Sequence, residues 1–479
     1  MRKIVLSTLL IFTLVFNVVF AAPPAHFKGK DVKYIFPHAV TKDGLLPIEG
    51  KITATDYASI LKSINNVQDN NLALRSKVAS YYVELAKTTQ NLFFNEDGSI
   101  VSSYDYTDNE YHNQNKADIA SIAQMSIAFY DAYVNNVKFN YGLSYKSTLN
   151  NLERYIKTAK KAERRTAKYK KAVADLARYK KIVQNAATFQ KNVKDLSYKN
   201  ALSTSSYVLN NLYKEGKFYN DPSLQSINYG TMGNGLLALN VQWNLSGTSD
   251  KQRLTQIAKE VYDYINASYD EEYDVFVFSG DRQNVKFDLK DFGMFLWGAK
   301  ELSTILIQNG YGIEAANLML KTTKMVNKVI VKDVTYKNEG IAREIAVVNG
   351  VVSASRDEIN TGRLHQFLYG FMKWNESQFT SFIGVHSKNV MLAKNMLINS
   401  IKNHIDAFAI IHDTKFTDVT IKNDAKEIPY IAWFMVTADY FAENHKHHLS
   451  KEENDLIQRA IQKNYDFLMN KVLTLGKNM

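Results

Sequence analysis

The sequence predicts an all-α fold: a ring of helical hairpins with short β-hairpins in its longer loops. Three observations predict it. An amphipathic segment, a polar loop and a second, more apolar segment recur at intervals of roughly 50 to 75 residues, the scale of a repeat architecture. Only 6 Pro and 21 Gly punctuate 479 residues, which favours long helices over a many-stranded sandwich. At 46% hydrophobic and 22% charged the composition is that of a globular chain, long enough for one large domain or two to three smaller ones.

Residues 1–21 read as a signal peptide. Arg2 and Lys3 form the basic start, Ile4 to Phe20 the apolar run, and Val19-Phe20-Ala21 a small-residue cleavage pattern. The expected location is extracytoplasmic, either secreted or associated with the cell envelope. An uncleaved membrane anchor is the alternative, because the run is long for a signal core. Residues 22–52 carry Pro, His and Gly with no clear period and read as an extended lead-in.

The hairpins follow. The outer member of each pair is amphipathic, as in Leu254, Ile257, Val261 and Ile265, or in Ile313, Ala316 and Leu320. The inner member is poorer in Lys and Glu, as in Phe292, Phe295, Leu296 and Leu302, or in Leu364, Phe367, Leu368 and Phe371. A helix apolar on most sides is buried on most sides. Five such pairs are legible. An inner-type segment near Tyr57 and an outer-type segment from Leu456 to Leu468 lack partners, and together they supply a sixth pair that closes the ring. The helical ring occupies 53–149 and 197–475.

Outer-to-inner connections are long and carry strand-like fragments. One is a β-hairpin over Ile345 to Val352 with an Asn349-Gly350 turn. Inner-to-outer connections are mostly short. Long loops therefore gather at the end of the ring where the inner helices begin.

Residues 150–196 interrupt the repeat as an inserted basic coiled-coil hairpin. From Leu152 to Leu196 there is no Gly and no Pro, and apolar residues alternate at spacings of three and four. Between Asn150 and Asn200 stand fifteen Lys or Arg against four Asp or Glu, a surplus equal to the whole chain's net charge of +11. Arg164, Arg165, Lys168, Lys170, Lys171, Lys180 and Lys181 are the candidate contacts to an anionic surface, either an acidic polysaccharide, a phosphate-bearing envelope polymer or lipid headgroups. A protein partner at this hairpin is a further reading, nucleic acid is disfavoured in an extracytoplasmic setting, and plain solubilisation of a protruding coiled coil competes with all of them.

This hairpin pattern resembles the six-hairpin (α/α)6 toroid, the scaffold of many glycoside hydrolases, polysaccharide lyases and sugar epimerases. The resemblance covers about 360 residues and rests on repeat period. Its nearest local signature is Tyr229-Gly230-Thr231-Met232-Gly233-Asn234-Gly235 opening an inner helix. Small residues there resemble the close inner-helix packing of such toroids. Some of those families carry a catalytic carboxylate nearby; here no acid lies between Asp221 and Asp250.

Sugar chemistry on that scaffold implies two carboxylates facing across a pocket, one protonating a leaving group and one acting as base or nucleophile. The candidates are Asp105 or Asp108 opposite Asp357 or Glu358, all in long loops. Tyr104, Tyr106, Tyr111, Asp281, Arg282, Arg356 and His365 are candidates to orient the sugar. Acids at the start of inner helices, such as Asp118, Asp288 and Asp291, have a simpler role as caps. The tryptophans Trp243, Trp297, Trp374 and Trp433 fall on helix patterns and read as core. His445, His447 and His448 read as a solvated turn.

The absence of cysteine excludes disulfides, Cys-based zinc or iron–sulfur sites and a thiol nucleophile. No Gly-rich phosphate loop, His-Glu-x-x-His or EF-hand pattern is present, so no metal or cofactor is expected. Two functions fit: a secreted carbohydrate-active protein working on a poly- or oligosaccharide by paired-carboxylate acid–base chemistry, or a non-catalytic envelope or adhesion protein that binds through the basic hairpin.

Overall fold

The computed structural model describes residues 39–40, 51–66, 72–96, 98–107, 110–113, 117–332, 334–337, 340–354, 359–404, 413–414 and 426–473. The expected signal peptide and most of the lead-in lie outside the described residues.

Six inner helices line the axis. They are α1 (Ala54–Asn66), α3 (Ile119–Val134), α6 (Tyr229–Leu245), α8 (Leu289–Gln308), α10 (Thr361–Asn375) and α13 (Ile428–Asn444). Each packs on the next, and α13 packs on α1, so the ring closes. Outside them run α2 (Leu72–Phe93), α5 (Ala167–Asn211), α7 (Thr248–Ala267), α9 (Gly312–Val329), α12 (His386–His404) and α14 (Lys451–Phe467). The expected closure holds with one refinement: α14 packs on α13 and α12, while α1 joins the ring through α13 and α3. Among the described residues no helix is long and apolar enough to cross a membrane.

The signature around Tyr229 explains how tightly the ring is drawn. A methyl group on Gly293 would stand 2.7 Å from the Phe367 Cα, and one on Gly298 would stand 2.8 Å from the Gly233 carbonyl oxygen. These glycines let α6, α8 and α10 approach backbone to backbone, where any side chain would force the helices apart. Tyr229 anchors the outer side of that contact. Its hydroxyl donates to the Phe276 carbonyl at 2.5 Å, and its ring packs against Phe278, Phe287 and Phe295.

The outer helix α9 corrects one expectation. Ile313 is 84% exposed and Leu320 is also exposed, whereas Ala315, Met319, Thr322 and Val326 face the ring. Both stripes are apolar enough to be read as the buried one. The packed stripe wins because it runs the whole length of the helix, through Ala315, Leu318, Met319, Thr322, Val326 and Val329, along α8.

The long-loop end carries small sheets. Ile52–Thr53, Ser103–Thr107 and Glu110–Asn113 form one, with Asp105 opposite His112 in register. The expected hairpin pairs Glu344–Val348 with Val351–Ala354, and Asn349 and Gly350 both take the positive φ its turn requires. Asn284–Asp288, from the preceding loop, adds a third strand to it.

The basic insertion folds back on itself as expected, but its second arm is not a separate element. The chain leaves α3 through two short 3-10 turns, runs out along α4 (Lys146–Thr158), and returns on α5. That helix of 45 residues is about 67 Å long, so the arm and the second outer helix are one rod. The seam is aromatic and small: Tyr145 meets Tyr179, Tyr155 meets Tyr169, and Ala172, Ala186 and Val193 are buried. Val173, expected in the seam, is exposed because Ala172 takes its place. At the root, Gln190 bridges Asn140 at 2.7 Å and Asn136 at 2.8 Å.

Candidate functional site at the axis of the ring

The described sequence candidates at the long-loop end do not converge on one described pocket. Asp105 is half-buried in its strand. Tyr104 is buried beside Phe93, and its hydroxyl donates to the Leu92 carbonyl. His365 is fully buried against Phe434 in the first turns of α10. Tyr104 and His365 are therefore packing groups rather than sugar contacts. Asp281 and Arg282 are exposed in a turn that Asp281 caps, accepting from the Gln283 N–H at 2.9 Å. Asp108, Arg356, Asp357 and Glu358 lie outside the described residues, as do the side chains of Tyr106 and Tyr111. Asp118 and Asp288 cap α3 and α8 as expected.

A cavity of about 360 Å³ lies at the other end, where the inner helices finish. All six contribute to its wall: Asn66 from α1, Asp131 from α3, Asn240 from α6, Glu301 from α8, Tyr369 and Lys373 from α10, and Tyr440 and Glu443 from α13. Glu376, just past α10, joins them. Four carboxylates therefore wall one cavity from four directions, with Lys138, Lys300 and Lys373 among them.

Beside the cavity lies a buried cation. Lys62, on α1, is ion-paired with Asp131 of the neighbouring α3, which lines the cavity. Its ammonium lies 5.0 Å from the Tyr369 ring centre, 5.5 Å from Trp297 and 5.8 Å from Trp433. Burial pulls the Lys62 pKa below the usual lysine value, and Asp131 opposes that pull. One side chain thus touches α3, α8, α10 and α13.

The wall is ordered by charge-assisted bonds. The Trp297 indole N–H donates to Glu301 at 3.1 Å, and Lys300 reaches the same carboxylate oxygen at 3.0 Å. Lys373 pairs with Glu376 at 3.4 Å and lies 4.1 Å from the Tyr440 ring centre. Tyr369 meets Trp297, Trp433 and Tyr440 at 5.2 to 5.4 Å between ring centres. Two polar atoms in this group have no hydrogen-bond partner: the hydroxyl of Tyr440, a wall residue, and the indole N–H of Trp433, which stands beside Lys62. A buried donor without a partner costs about 1–3 kcal/mol. Such atoms are what a hydroxyl-bearing ligand satisfies.

Sequence reading missed this group. Its signal was present: inner helices are poor in charge, so Lys62, Asp131, Glu301 and Lys373 are exceptions on faces that otherwise bury. Trp297 and Trp433 are buried as expected, yet both border the axis. Among the described residues no group of His, Asp and Glu is arranged to hold a metal ion.

Next to the wall, burial pushes the Asp439 carboxyl up from 3.8 to about 7, helped by Glu443 and opposed by Lys138. Its proton is favoured in the folded state, so its contribution to stability is full near pH 4 and is lost as pH rises toward 7. Asp439→Asn is expected to be about 2 kcal/mol more stable than the parent at pH 8, with the gap closing by pH 4. Urea unfolding at the two pH values measures this; a gap independent of pH contradicts it. His445, expected in a solvated turn, is instead buried against Phe441, and burial followed by His386 lowers its pKa to about 4. Its effect has the opposite sign: stability is full above 6.5 and lost toward 4. Comparing the variant with its parent cancels it.

No family model matches the chain, and no curated protein matches it in sequence. Solved structures do match in shape. A cellobiose 2-epimerase from Bacillus thermoamylovorans B4167 aligns over 90% of this chain and 93% of its own, with a TM-score of 0.50 and 9% identity. The fold is the (α/α)6 toroid. A sugar epimerase from a ruminal bacterium aligns over 90% and 92% at TM-score 0.49 and 11% identity. A family 76 glycoside hydrolase from a bovine Bacteroides thetaiotaomicron strain aligns over 82% and 69% at TM-score 0.44 and 10% identity. In the toroid described here, the axial cavity opens at the end with the shorter connections.

Proposed function

We propose that this protein is a secreted, carbohydrate-active toroid that takes a sugar unit into the axial cavity and acts on it by carboxylate acid–base chemistry. The observation that carries the reading is the unpartnered hydroxyl of Tyr440, a residue of the cavity wall. The lining has the make-up of a sugar site. Aromatic faces suit the C–H faces of a pyranose, while paired carboxylates and ammoniums suit its hydroxyls. Acids and lysines on the wall nearly balance, which suits an uncharged sugar ring. Sharing its fold with a cellobiose 2-epimerase fits this reading.

Glu301 and Glu376 are the residues placed to exchange protons. They stand on adjacent parts of the ring, and each is oriented by a neighbouring lysine. Asp105 or Asp108 acting with Asp357 or Glu358, all loop acids, remains a second proposed pair.

Tyr440→Phe tests the reading. A glycan array with turnover detection, run on the parent protein, identifies the sugar. The variant is then expected to bind it about tenfold more weakly, the worth of one hydrogen bond. Its thermal stability is expected to be unchanged or slightly raised, because the hydroxyl has no partner in the protein to lose. Parent-like affinity in the variant counts against the cavity as the sugar site.

A further inference from the structure

The basic arm stands at the mouth of this cavity. Its root supplies Asn135 and Lys138 to the cavity wall. From Gln190 at the root to Thr166 at the tip, α5 and its cap project about 36 Å past the ring. All fifteen lysines and arginines between Asn150 and Asn200 are exposed. Among the described residues only Lys180 and Lys191 of these form ion pairs, with Glu153 and Asp195. The tip is the most charged part: residues 157–171 hold eight cations and a single acid, Glu163, whose carboxylate accepts the Lys160 N–H.

From these placements we propose that the arm is a docking rail for an acidic polysaccharide and holds the chain beside the axial cavity. Three features select that partner. By helical periodicity the cations of α5 lie on every solvent-facing side, with Lys171 and Arg178 on one flank, Lys180 and Lys191 on the other, and Lys170 and Lys181 between. A flexible polymer reaches all of these, whereas a flat bilayer reaches one side only. Tyr145, Tyr155, Tyr169 and Tyr179 pair with one another inside the seam, so they present no stacking platform for nucleic acid bases. Continuity with the cavity then points to a polymer of sugars.

The choice of polysaccharide rests on the sugar reading of the cavity, and the two can fail separately. Tyr440→Phe weakens the cavity and leaves the arm untouched. A variant carrying Arg165→Ser, Lys170→Ser, Lys171→Ser and Lys181→Ser disables the arm, at exposed positions whose loss is expected to leave the fold intact by circular dichroism.

The full chain is titrated with polygalacturonate, with its fully methyl-esterified and uncharged counterpart, with phosphatidylglycerol-containing vesicles and with single-stranded DNA. Polygalacturonate is expected to bind, about tenfold more weakly at 300 mM than at 50 mM salt, and about tenfold more weakly again in the four-residue variant. The esterified polymer is expected to bind at least tenfold more weakly than the acidic one. Equal binding of the two polymers, salt-insensitive binding, parent-like binding by the variant, or tighter capture of vesicles or DNA than of polygalacturonate overturns the proposal.

Discussion

Lys62→Ala is expected to destabilise the protein by about 3–5 kcal/mol in urea unfolding at pH 7. The ammonium is buried on the axis, so the protein already bears the cost of removing it from water. What offsets that cost is the pairing with Asp131 and the three aromatic faces within 5.8 Å. Truncation leaves Asp131 facing a hole without its partner, and it removes a side chain that ties α1 to four other inner helices at once. Lys62→Met combined with Asp131→Asn is expected to recover most of the loss, because it removes both charges and keeps the volume. A cost below about 1 kcal/mol for Lys62→Ala means that the ring does not depend on this hub.

Glu301→Gln and Glu376→Gln are each expected to lower turnover of the array-identified sugar by about 10²- to 10⁴-fold, the usual weight of a positioned acid or base. Binding should weaken only a few-fold, since an amide keeps the shape and most of the hydrogen bonding. The Glu301 carboxylate is held by the Trp297 indole and the Lys300 ammonium, so the isosteric change removes proton transfer while leaving an oxygen for the indole. Equal losses in binding and turnover assign these residues to binding alone. Unchanged turnover in both moves the chemistry to the loop acids, where Asp105→Asn becomes the informative variant.

Much of the toroid was legible because its inner and outer helices differ in kind. Phe292, Phe295 and Leu296 could not belong to a helix with a solvated face, and the lone segment at Tyr57 matched the inner type closely enough to complete the ring. The arm was legible from charge alone. The face of α9 was not, because Ile313, Ala316 and Leu320 share one side at helical spacing while Ala315, Leu318, Met319 and Val326, which pack, share another. The third strand at Asn284–Asp288 joins two loops distant in sequence, and no local pattern carries such pairing.

The candidate site was harder to read for a related reason. Counting acids in loops rewards caps and turns, as Asp118, Asp288 and Asp281 show. The axial group is spread over six helices, so apart from the adjacent Lys300 and Glu301 its members are scattered through the sequence. Its trace in the sequence is negative: a charge where the helix has no exposed face to put one. Lys62, between Leu61 and Ser63 on a helix buried almost end to end, is the clearest case.

The central claim is that the sugar site lies at the axis, on the end where the inner helices finish. A crystal of the parent protein soaked with the sugar found on the array tests it directly. The account predicts density in the axial cavity, with a sugar hydroxyl within hydrogen-bonding distance of the Tyr440 oxygen and a ring face against Trp297 or Tyr369. Density at the long-loop end instead, beside Asp105 and away from Lys62, would contradict it.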